Sequence, residues 1–462
     1  MLVLLLTVLL DAASAWYRHD PRLVRVVAPL IGDTTFDVRD YGAVGDGTTD
    51  DTTAIQAALD ACASSDSGGF VEFSGGTFLS LPLYVKGDNC GLWVSSTLLQ
   101  MHWTEEPLGS ASTSFLNVKD VSHFAITGGG TIDGNGPLWW PNDDPRPRLV
   151  HIKDSANVAL YDVAFYDSAD HTLEVYADNV EISHVNISVD WTAFDGKAPN
   201  TDGVDVHGTP FYIHDSTIDV GDDNVAVHAS DILVEDCVFG GEGDGVHGHG
   251  ASIGSLGDGS AISNVTFRNI VFENTHVGPN IKVSAGATSG YCKDVLYENI
   301  ILFDLQYWNM RLNMGYDDDA AEASPTNYRQ SRQSRRRLGS SNFLLSNITY
   351  RNISAPKTTQ VPGELLCSDD IPCINLHLQD ITFAGVDEDD WVCADAYGDM
   401  DDVVPAACVK SGYPPGDFSF SYSYSYSFEE QEEGGETASS LGASPLLVSD
   451  LQRAETRRTQ TS

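Results

Sequence analysis

Five ionisable residues in one stretch of the chain have the types and spacing needed for acid–base chemistry. Asp202 lies in NTDG, Asp222 and Asp223 in GDD, His249 in HGHG and Lys282 in NIK. The intervals are 20 (202 to 222), 26 (223 to 249) and 33 (249 to 282) positions. Carboxylates a few ångströms apart cannot all ionise independently, so the pKa of at least one is raised. A protonated carboxyl beside an ionised one supplies the acid and the base that hydrolysis of an acetal requires.

Each motif alone is typical of a turn, because Gly, Asp and Asn favour turn conformations. Asp222 and Asp223 are adjacent, so on a straight strand they would face opposite ways. Gly221 allows a bend at this point, and a bend would bring both carboxylates to one site.

Short alternating strands recur along the chain and predict how these residues are positioned. The pattern Asn-Val-x-Leu/Ile followed by Val-x-Phe/Ile occurs at 157–165 and again at 179–187, 22 positions on (157 to 179), with related pieces at 264–272 and 295–303. Such a repeat predicts a stacked solenoid, the parallel β-helix. Successive coils lie about 4.8 Å apart, so residues one period apart stack. We therefore expect each interval of the opening stretch to be one coil.

One segment has helical spacing instead. Ile55, Ala58, Leu59 and Cys62 recur at the helical period after a Gly-rich turn, which predicts a short helix that caps the N-terminal end of the solenoid.

Composition predicts the domain boundaries. An apolar run followed by small residues predicts a signal peptide at 1–15, a buried N-terminal strand being the alternative. We expect an extension at 16–35 and a β-helix at 36–414. A charged loop insertion is predicted at 317–341, for which a processing site at its arginine run is an alternative. The Ser-, Tyr- and Gly-rich tail at 415–462 is expected to be disordered.

Several features predict an extracellular protein. The chain has eight cysteines, with the close couples Cys367/Cys373 and Cys393/Cys408 as disulfide candidates. Candidate glycosylation sequons begin at four asparagines, Asn186, Asn264, Asn347 and Asn352.

The net charge excludes some partners. It is −42, from 67 acidic and 25 basic residues, which argues against nucleic acid or an anionic membrane. A polyanionic substrate would also be repelled at long range, so the protein would need either locally placed cations or a salty medium.

The ordered motifs resemble those of the polygalacturonases, glycoside hydrolase family 28. The resemblance covers 36–409 and includes DYGAVGDG, GTIDGNGPLWW and the C-terminal cysteine couples. It implies an all-β, right-handed, single-stranded parallel β-helix with no metal or other cofactor. The implied activity is inverting hydrolysis of α-1,4-galacturonosidic bonds in polygalacturonate, pectin or a related polyuronide. A secreted monomer acting on an acidic polysaccharide in the cell-wall region is expected.

The resemblance also implies a role for each motif residue. Asp222 resembles the general acid, Asp202 and Asp223 the pair that activates water, and His249 the residue that tunes the protonation of the acid. Lys282 resembles the cation that holds the substrate carboxylate. The substrate-binding candidates are Lys282, Asn280, Asn200, Tyr316 and Gly248.

Two positions depart from the family pattern. Asn280 stands where the family usually has arginine, which removes a bidentate cation from the uronate site. Asn224 stands where relatives often have a half-cystine, which leaves the partner of Cys237 open.

Two other functions remain open at this point. A polysaccharide lyase on the same fold would produce an unsaturated, ultraviolet-absorbing end. A carbohydrate-binding protein without catalysis is the other, motivated by Asn280.

Overall fold

The computed structural model describes residues 31–103, 114–141, 146–190, 200–243, 247–316, 342–357 and 361–414. Most of the predicted N-terminal extension lies outside these residues, as do the predicted signal peptide, charged insertion and tail. Spatial contacts group the chain into Met1–Tyr413 and Pro414–Ser462, and every described helix and strand lies in the first unit.

The described elements are short strands with very little helix. Helix α1 spans Thr52–Ala63, and short 3-10 turns lie at Val38–Tyr41, Gly136–Leu138 and Glu388–Asp390. The strands are β1 Thr35–Asp37, β2 Asp46–Asp50, β3 Gly69–Phe73, β4 Thr77–Ser80, β5 Leu83–Val85, β6 Cys90–Val94, β7 Thr97–Gln100, β8 Leu116–Lys119, β9 Ser122–Thr127, β10 Thr131–Asp133, β11 Val150–Tyr166, β12 Leu173–Ser188, β13 Val204–Val206, β14 Phe211–His214, β15 Thr217–Asp219, β16 Val225–Val227, β17 Ile232–Gly240, β18 Ala251–Leu256, β19 Ser260–Glu273, β20 Pro279–Ser284, β21 Gly290–Phe303, β22 Trp308–Tyr316, β23 Phe343–Ala355, β24 Val361–Leu366, β25 Cys373–Phe383, β26 Val392–Ala394, β27 Ala396–Val404 and β28 Lys410–Ser411.

The strand pairings within the described ranges are parallel and join each strand to its counterpart one coil later, so the predicted right-handed parallel β-helix is confirmed. Three ribbons of strands run along the solenoid. We call one of them the site ribbon. It consists of β5, β8, the first parts of β11 and β12, and then β13, β16, β18, β20, β22, β24 and β26.

The coil length changes along the solenoid. Val158 pairs with Val180, as the repeat at 157 and 179 predicts. On the site ribbon the coils lengthen from β13 to β22, as the successive register pairs show: Val204 with Val225, Val225 with Ala251, Ala251 with Pro279 and Asn280 with Arg311. The rise between coils is set by strand spacing, so the additional residues lie in the turns.

Asparagine and aspartate form the corners between ribbons because they tolerate the left-handed conformation better than other residues with a Cβ. Asn157 and Asn179, which begin the two predicted repeats, both have φ of 57°. The Asn179 Nδ2 donates to Asn157 Oδ1 at 2.6 Å. The repeated asparagine thus both turns the chain and links neighbouring coils.

Helix α1 buries the residues predicted from its spacing, namely Ile55, Ala58, Leu59 and Cys62. Inward-facing residues of all three ribbons form one hydrophobic core along the solenoid, which includes fully buried Phe165, Phe211 and Phe267. No helix in the described ranges is long and apolar enough to cross a membrane.

The two predicted cysteine couples are confirmed as disulfides, Cys367–Cys373 and Cys393–Cys408. A third disulfide, which was not predicted, joins Cys62 of α1 to Cys90 of β6. Cys237 and Cys292 are free and buried, so Cys237 has no disulfide partner.

Candidate active site

The predicted catalytic residues lie in three stacked turns, each of which leads into a strand of the site ribbon. Asp202 precedes β13, and Asp222 and Asp223 precede β16. His249 precedes β18. The turns are joined by backbone hydrogen bonds, such as the one that Gly203 N donates to Asp223 O at 2.9 Å. Parallel pairing of these strands therefore brings together residues that are far apart in sequence.

The chain bends before β16, as Gly221 predicts. Because of the bend, Asp222 pairs with His249 and Asp223 pairs with Lys282, although both carboxyl groups lie in one site. The interval from His249 to Lys282 is longer than one coil, because Ala251 of β18 pairs with Pro279 of β20. Lys282 therefore lies further along β20, and its ammonium extends back to Asp223.

Asp222 and His249 form a hydrogen-bonded ion pair at the surface of the site. Asp222 Oδ1 lies 2.9 Å from His249 Nδ1, and the two side chains are 21% and 26% exposed. Asp222 also accepts from Asn200 N at 3.0 Å and Asp223 N at 2.9 Å. Although burial opposes it, the charge and hydrogen bond of His249 hold the pKa of Asp222 well below its ordinary value. Burial likewise opposes the shift at His249, but Asp222 raises its pKa.

Asp223 and Lys282 form a second pair beneath the first. Their side chains are only 4% and 7% exposed. Lys282 Nζ donates to Asp223 Oδ2, and Ser252 Oγ donates to Asp223 Oδ1 at 2.7 Å. Burial opposes protonation of Lys282, but the adjacent Asp223 charge raises its pKa. Lys282 is therefore a permanent cation whose first partner is a carboxylate of the protein.

Asp202 is buried, and burial together with the charges of Asp222 and Asp205 raises its pKa well above the ordinary value. Burial also raises the pKa of Asp223, although the Lys282 charge opposes that shift, and the shift is larger at Asp202. The pKa values of neighbouring carboxyls are thus shifted in opposite directions, upward at Asp202 and downward at Asp222. These shifts favour the protonated form of Asp202 and the ionised form of Asp222 in the free site.

His171 and Asp205 extend the site toward the preceding coil, and sequence reasoning missed both. His171 Nδ1 lies 3.2 Å from Asp205 Oδ2, and its Nε2 lies 3.7 Å from Asp202 Oδ1. Burial opposes its protonation, but Asp205 raises the pKa of His171 to about 9. Asp205 follows NTDG by two residues, so its place next to the motif was the available signal.

Asn280 lies below the site surface, where it is 2% exposed. Its Nδ2 donates to Ser252 Oγ at 3.0 Å, so a hydrogen-bond chain runs from Asn280 through Ser252 to Asp223. In register with Asn280 on β22 is Arg311, whose Nε lies 3.2 Å from Glu364 Oε1. An arginine is thus present one coil beyond the position where the family usually has one.

The remaining binding candidates are placed as follows. Tyr316 lies beside Lys282, with 5.2 Å from the ammonium nitrogen to the ring centroid. Asn200 contributes its backbone N–H to Asp222. Gly248 is buried with φ of 109°, and a Cβ there would lie 2.2 Å from Asn224 Oδ1, so its conformation and packing require glycine.

Asn224, at the position of the missing half-cystine, ties the catalytic turns together by hydrogen bonds. Its Oδ1 accepts from Gly250 N at 2.8 Å, and its Nδ2 donates to Ile218 O at 2.8 Å and His247 O at 3.2 Å. At about 1 kcal/mol each, three such bonds approach the roughly 2–4 kcal/mol typical of a disulfide.

Three groups in the described part of the chain have ligand atoms close enough to hold a cation. They are Asp222/Asp223/His249, His171/Asp202/Asp205 and Asp205/His207/His228. Two of these groups already use their atoms in ion pairs. In the third, His207 and His228 stack with 4.6 Å between centroids and 6° between planes, so a cation in the plane of one ring lies outside the plane of the other. The expectation of no cofactor stays a prediction.

Comparison with known proteins identifies the family. The model of glycosyl hydrolases family 28 matches residues 100–408. The chain belongs to glycosyl hydrolases family 28. It is a glycoside hydrolase, and the resemblance inferred from its motifs is confirmed. A second model, rhamnogalacturonase A/epimerase, pectate lyase-like, matches residues 35–82.

Relatives in family 28 are similar over most of their length. A polygalacturonase of Juniperus ashei is 28% identical over 386 residues, covering 79% of this chain and 68% of the relative. A probable rhamnogalacturonase C of Aspergillus flavus is 28% identical over 409 residues, covering 85% and 81%. The polygalacturonase structure from Erwinia carotovora has a TM-score of 0.63 at 22% identity, covering 83% of this chain and 100% of that one. This likeness confirms the fold.

Replacing Ser252 by alanine is expected to lower kcat/KM by about tenfold. It is also expected to move the acidic limb of the pH profile of kcat/KM to higher pH. The change removes a hydrogen bond to an ionised carboxylate, worth about 1.5–3 kcal/mol, and thereby raises the pKa of Asp223. A pH profile of kcat/KM measures the shift. Ser346→Ala, at a similarly buried serine on another ribbon, should leave the profile unchanged. An unmoved acidic limb in Ser252→Ala would show that Ser252 does not set the protonation of Asp223.

Proposed function

We propose that the protein hydrolyses α-1,4-galacturonosidic bonds of polygalacturonate, pectin or a related polyuronide, with inversion at the anomeric carbon. The observation that carries this proposal is the meeting of three carboxyl groups, Asp202, Asp222 and Asp223, on stacked turns, with His249 Nδ1 2.9 Å from Asp222 Oδ1. Relatives named polygalacturonase and rhamnogalacturonase support the substrate class.

In the proposed mechanism, Asp222 protonates the departing glycosidic oxygen. The proton comes from His249 Nδ1, which lies 2.9 Å from Asp222 Oδ1, so transfer across this hydrogen bond converts Asp222 into an acid. Asp202 and Asp223 bind the attacking water and take its proton. A raised pKa makes Asp202 a strong base once its own proton has passed to solvent.

The reverse assignment, with Asp202 as the acid, is favoured by the directions of the pKa shifts, because the pKa of Asp202 is raised and that of Asp222 is lowered. The two assignments predict different responses to the leaving group, because only the acid becomes dispensable when the leaving group needs no proton.

We also propose that the protein acts outside the cell as a monomer. Three disulfides in the described part of the chain fit an oxidising compartment. The four sequon asparagines are exposed, as glycosylation requires. The acidic polysaccharide of the cell-wall region is the proposed partner.

The test is a product profile on polygalacturonate, pectin and rhamnogalacturonan. We expect new reducing ends with inverted anomeric configuration, read by NMR at early times, and no rise in ultraviolet absorbance. An ultraviolet-absorbing unsaturated end would indicate a lyase. Absence of any product from all three polymers would contradict the proposed function and favour a binding protein.

A further inference from the structure

Lysines stack at one end of the site ribbon, away from the catalytic turns. Lys86, Lys119 and Lys153 line one cleft, together with Tyr84, Asn117 and His151. Lys119 pairs in register with Lys153, and Lys86 directly follows Val85, which pairs with Val118. We call these three lysines the lysine column.

The lysine column is unusual for this chain. It contains three of only eight lysines in a protein of net charge −42. Like charges stacked at strand spacing repel each other, so the arrangement costs stability. Lys119 has a nearby acid, with 3.4 Å from Nζ to Asp120 Oδ2, but the two side chains are 60% and 69% exposed. Such an exposed pair is weak and leaves the ammonium accessible.

The column is aligned with the catalytic turns along the same ribbon. Asn117, beside Lys119, pairs with His151, then Glu174 and then Asp205 in successive coils. At strand spacing, Lys153 is about 10 Å and Lys119 about 14 Å along the ribbon from the coil of Asp205. A polysaccharide that lies along the ribbon would therefore reach the column within a few sugar units.

Aromatic rings connect the column to the site. Tyr176 pairs in register with Lys153. It stacks on His207 at 4.0 Å between centroids, and His207 stacks on His228 at 4.6 Å. The rings therefore form a continuous stack between the column and the site, and the lysines suit the carboxylates of a uronide.

We propose that the lysine column is a distal binding site for the carboxylates of a polyuronide chain whose scissile bond lies at Asp222. This proposal rests on the proposed function and extends it to substrate length. The column supplies the local cations that a strongly acidic protein needs to hold a polyanion. Charges further away than about 10 Å are largely screened at ordinary ionic strength.

The test compares short and long substrates in two triple variants. Lys86→Gln/Lys119→Gln/Lys153→Gln removes the column. Lys293→Gln/Lys357→Gln/Lys410→Gln removes the same charge at lysines outside the cleft, each of which is paired with an acid. For an oligogalacturonide of about ten units, we expect the column variant to lower kcat/KM by about 10- to 100-fold through KM. The trimer should be unaffected, and added salt should close the difference.

An equal loss on the trimer, an equal loss in the control variant, or no loss at all would overturn the proposal. A binding measurement separates it from the proposed function. Calorimetry with an oligogalacturonide of about ten units is run on Asp222→Asn, with and without the column substitutions. If the wild-type protein hydrolyses no polyuronide, the proposed function fails, while weaker binding by the column variant would still support the column. Equal binding by Asp222→Asn with and without the column substitutions would overturn the proposed role of the lysine column, whatever the hydrolysis test shows.

Discussion

Replacing Asp222 by asparagine is expected to lower kcat on polygalacturonate by about 10²- to 10⁴-fold, the usual contribution of a positioned acid. The amide has the shape of the carboxyl but a single acceptor oxygen, so it can keep the hydrogen bond from Asn200 N or the one from Asp223 N but not both, and it cannot carry the proton offered by His249. Reducing-end release under saturating substrate measures the loss. Thermal unfolding of the variant should confirm that the fold is intact.

A substrate with a fluoride leaving group distinguishes the acid from the base, because fluoride departs without general-acid assistance. Asp222→Asn should regain most of its activity on galacturonyl fluoride, whereas Asp202→Asn should stay inactive on both substrates. Recovery by Asp202→Asn and not by Asp222→Asn would reverse the two roles.

Replacing Lys282 by methionine is expected to destabilise the protein by about 3–5 kcal/mol. Methionine fills the same space but leaves Asp223 as a buried carboxylate without its cation, since the Lys282 and Asp223 side chains are 7% and 4% exposed. The urea midpoint measures the change. Activity should fall as well, because the protein loses both the cation expected to hold the substrate carboxylate and the charge that opposes the burial-induced rise in the pKa of Asp223.

A double variant tests whether the unpaired charge is the cause. Asp223→Asn combined with Lys282→Met removes the orphaned carboxylate, so we expect it to recover part of the stability lost in the single variant. Lys293→Met, at a lysine that is 44% exposed, should change stability by less than about 0.5 kcal/mol. If Lys282→Met unfolds at the same urea concentration as the wild type, the buried pair is not a stabilising element.

Local repeats predicted the fold because each coil uses the same residue types at its corners and in its core. Asn157 and Asn179 both occupy left-handed corners, and the apolar residues between corners face the core in register. The bend at Gly221 was predictable for a related reason, since two adjacent carboxylates can share a site only where the strand is broken.

Contacts between coils were less predictable, because they depend on a register that changes along the chain. The period read from the repeats at 157 and 179 does not extend to the longer coils that begin at β16, β18 and β20, so the position of Lys282 relative to His249 was misjudged. The Asn280–Ser252 hydrogen bond was hidden for the same reason. From the sequence, asparagine at position 280 in place of the usual arginine indicates a lost cation. In the fold, the Asn280 amide donates a hydrogen bond to Ser252, and Arg311 lies one coil away.

Asn224 makes the catalytic turns independent of redox state. The three described disulfides lie toward the two ends of the solenoid, at Cys62–Cys90 and beyond Leu366, while amide hydrogen bonds hold the central turns. Each coil of a solenoid is stabilised by its neighbours, so loss of an end propagates inward one coil at a time. We therefore expect a reductant to destabilise the terminal coils first, and the central coils that carry the catalytic turns last.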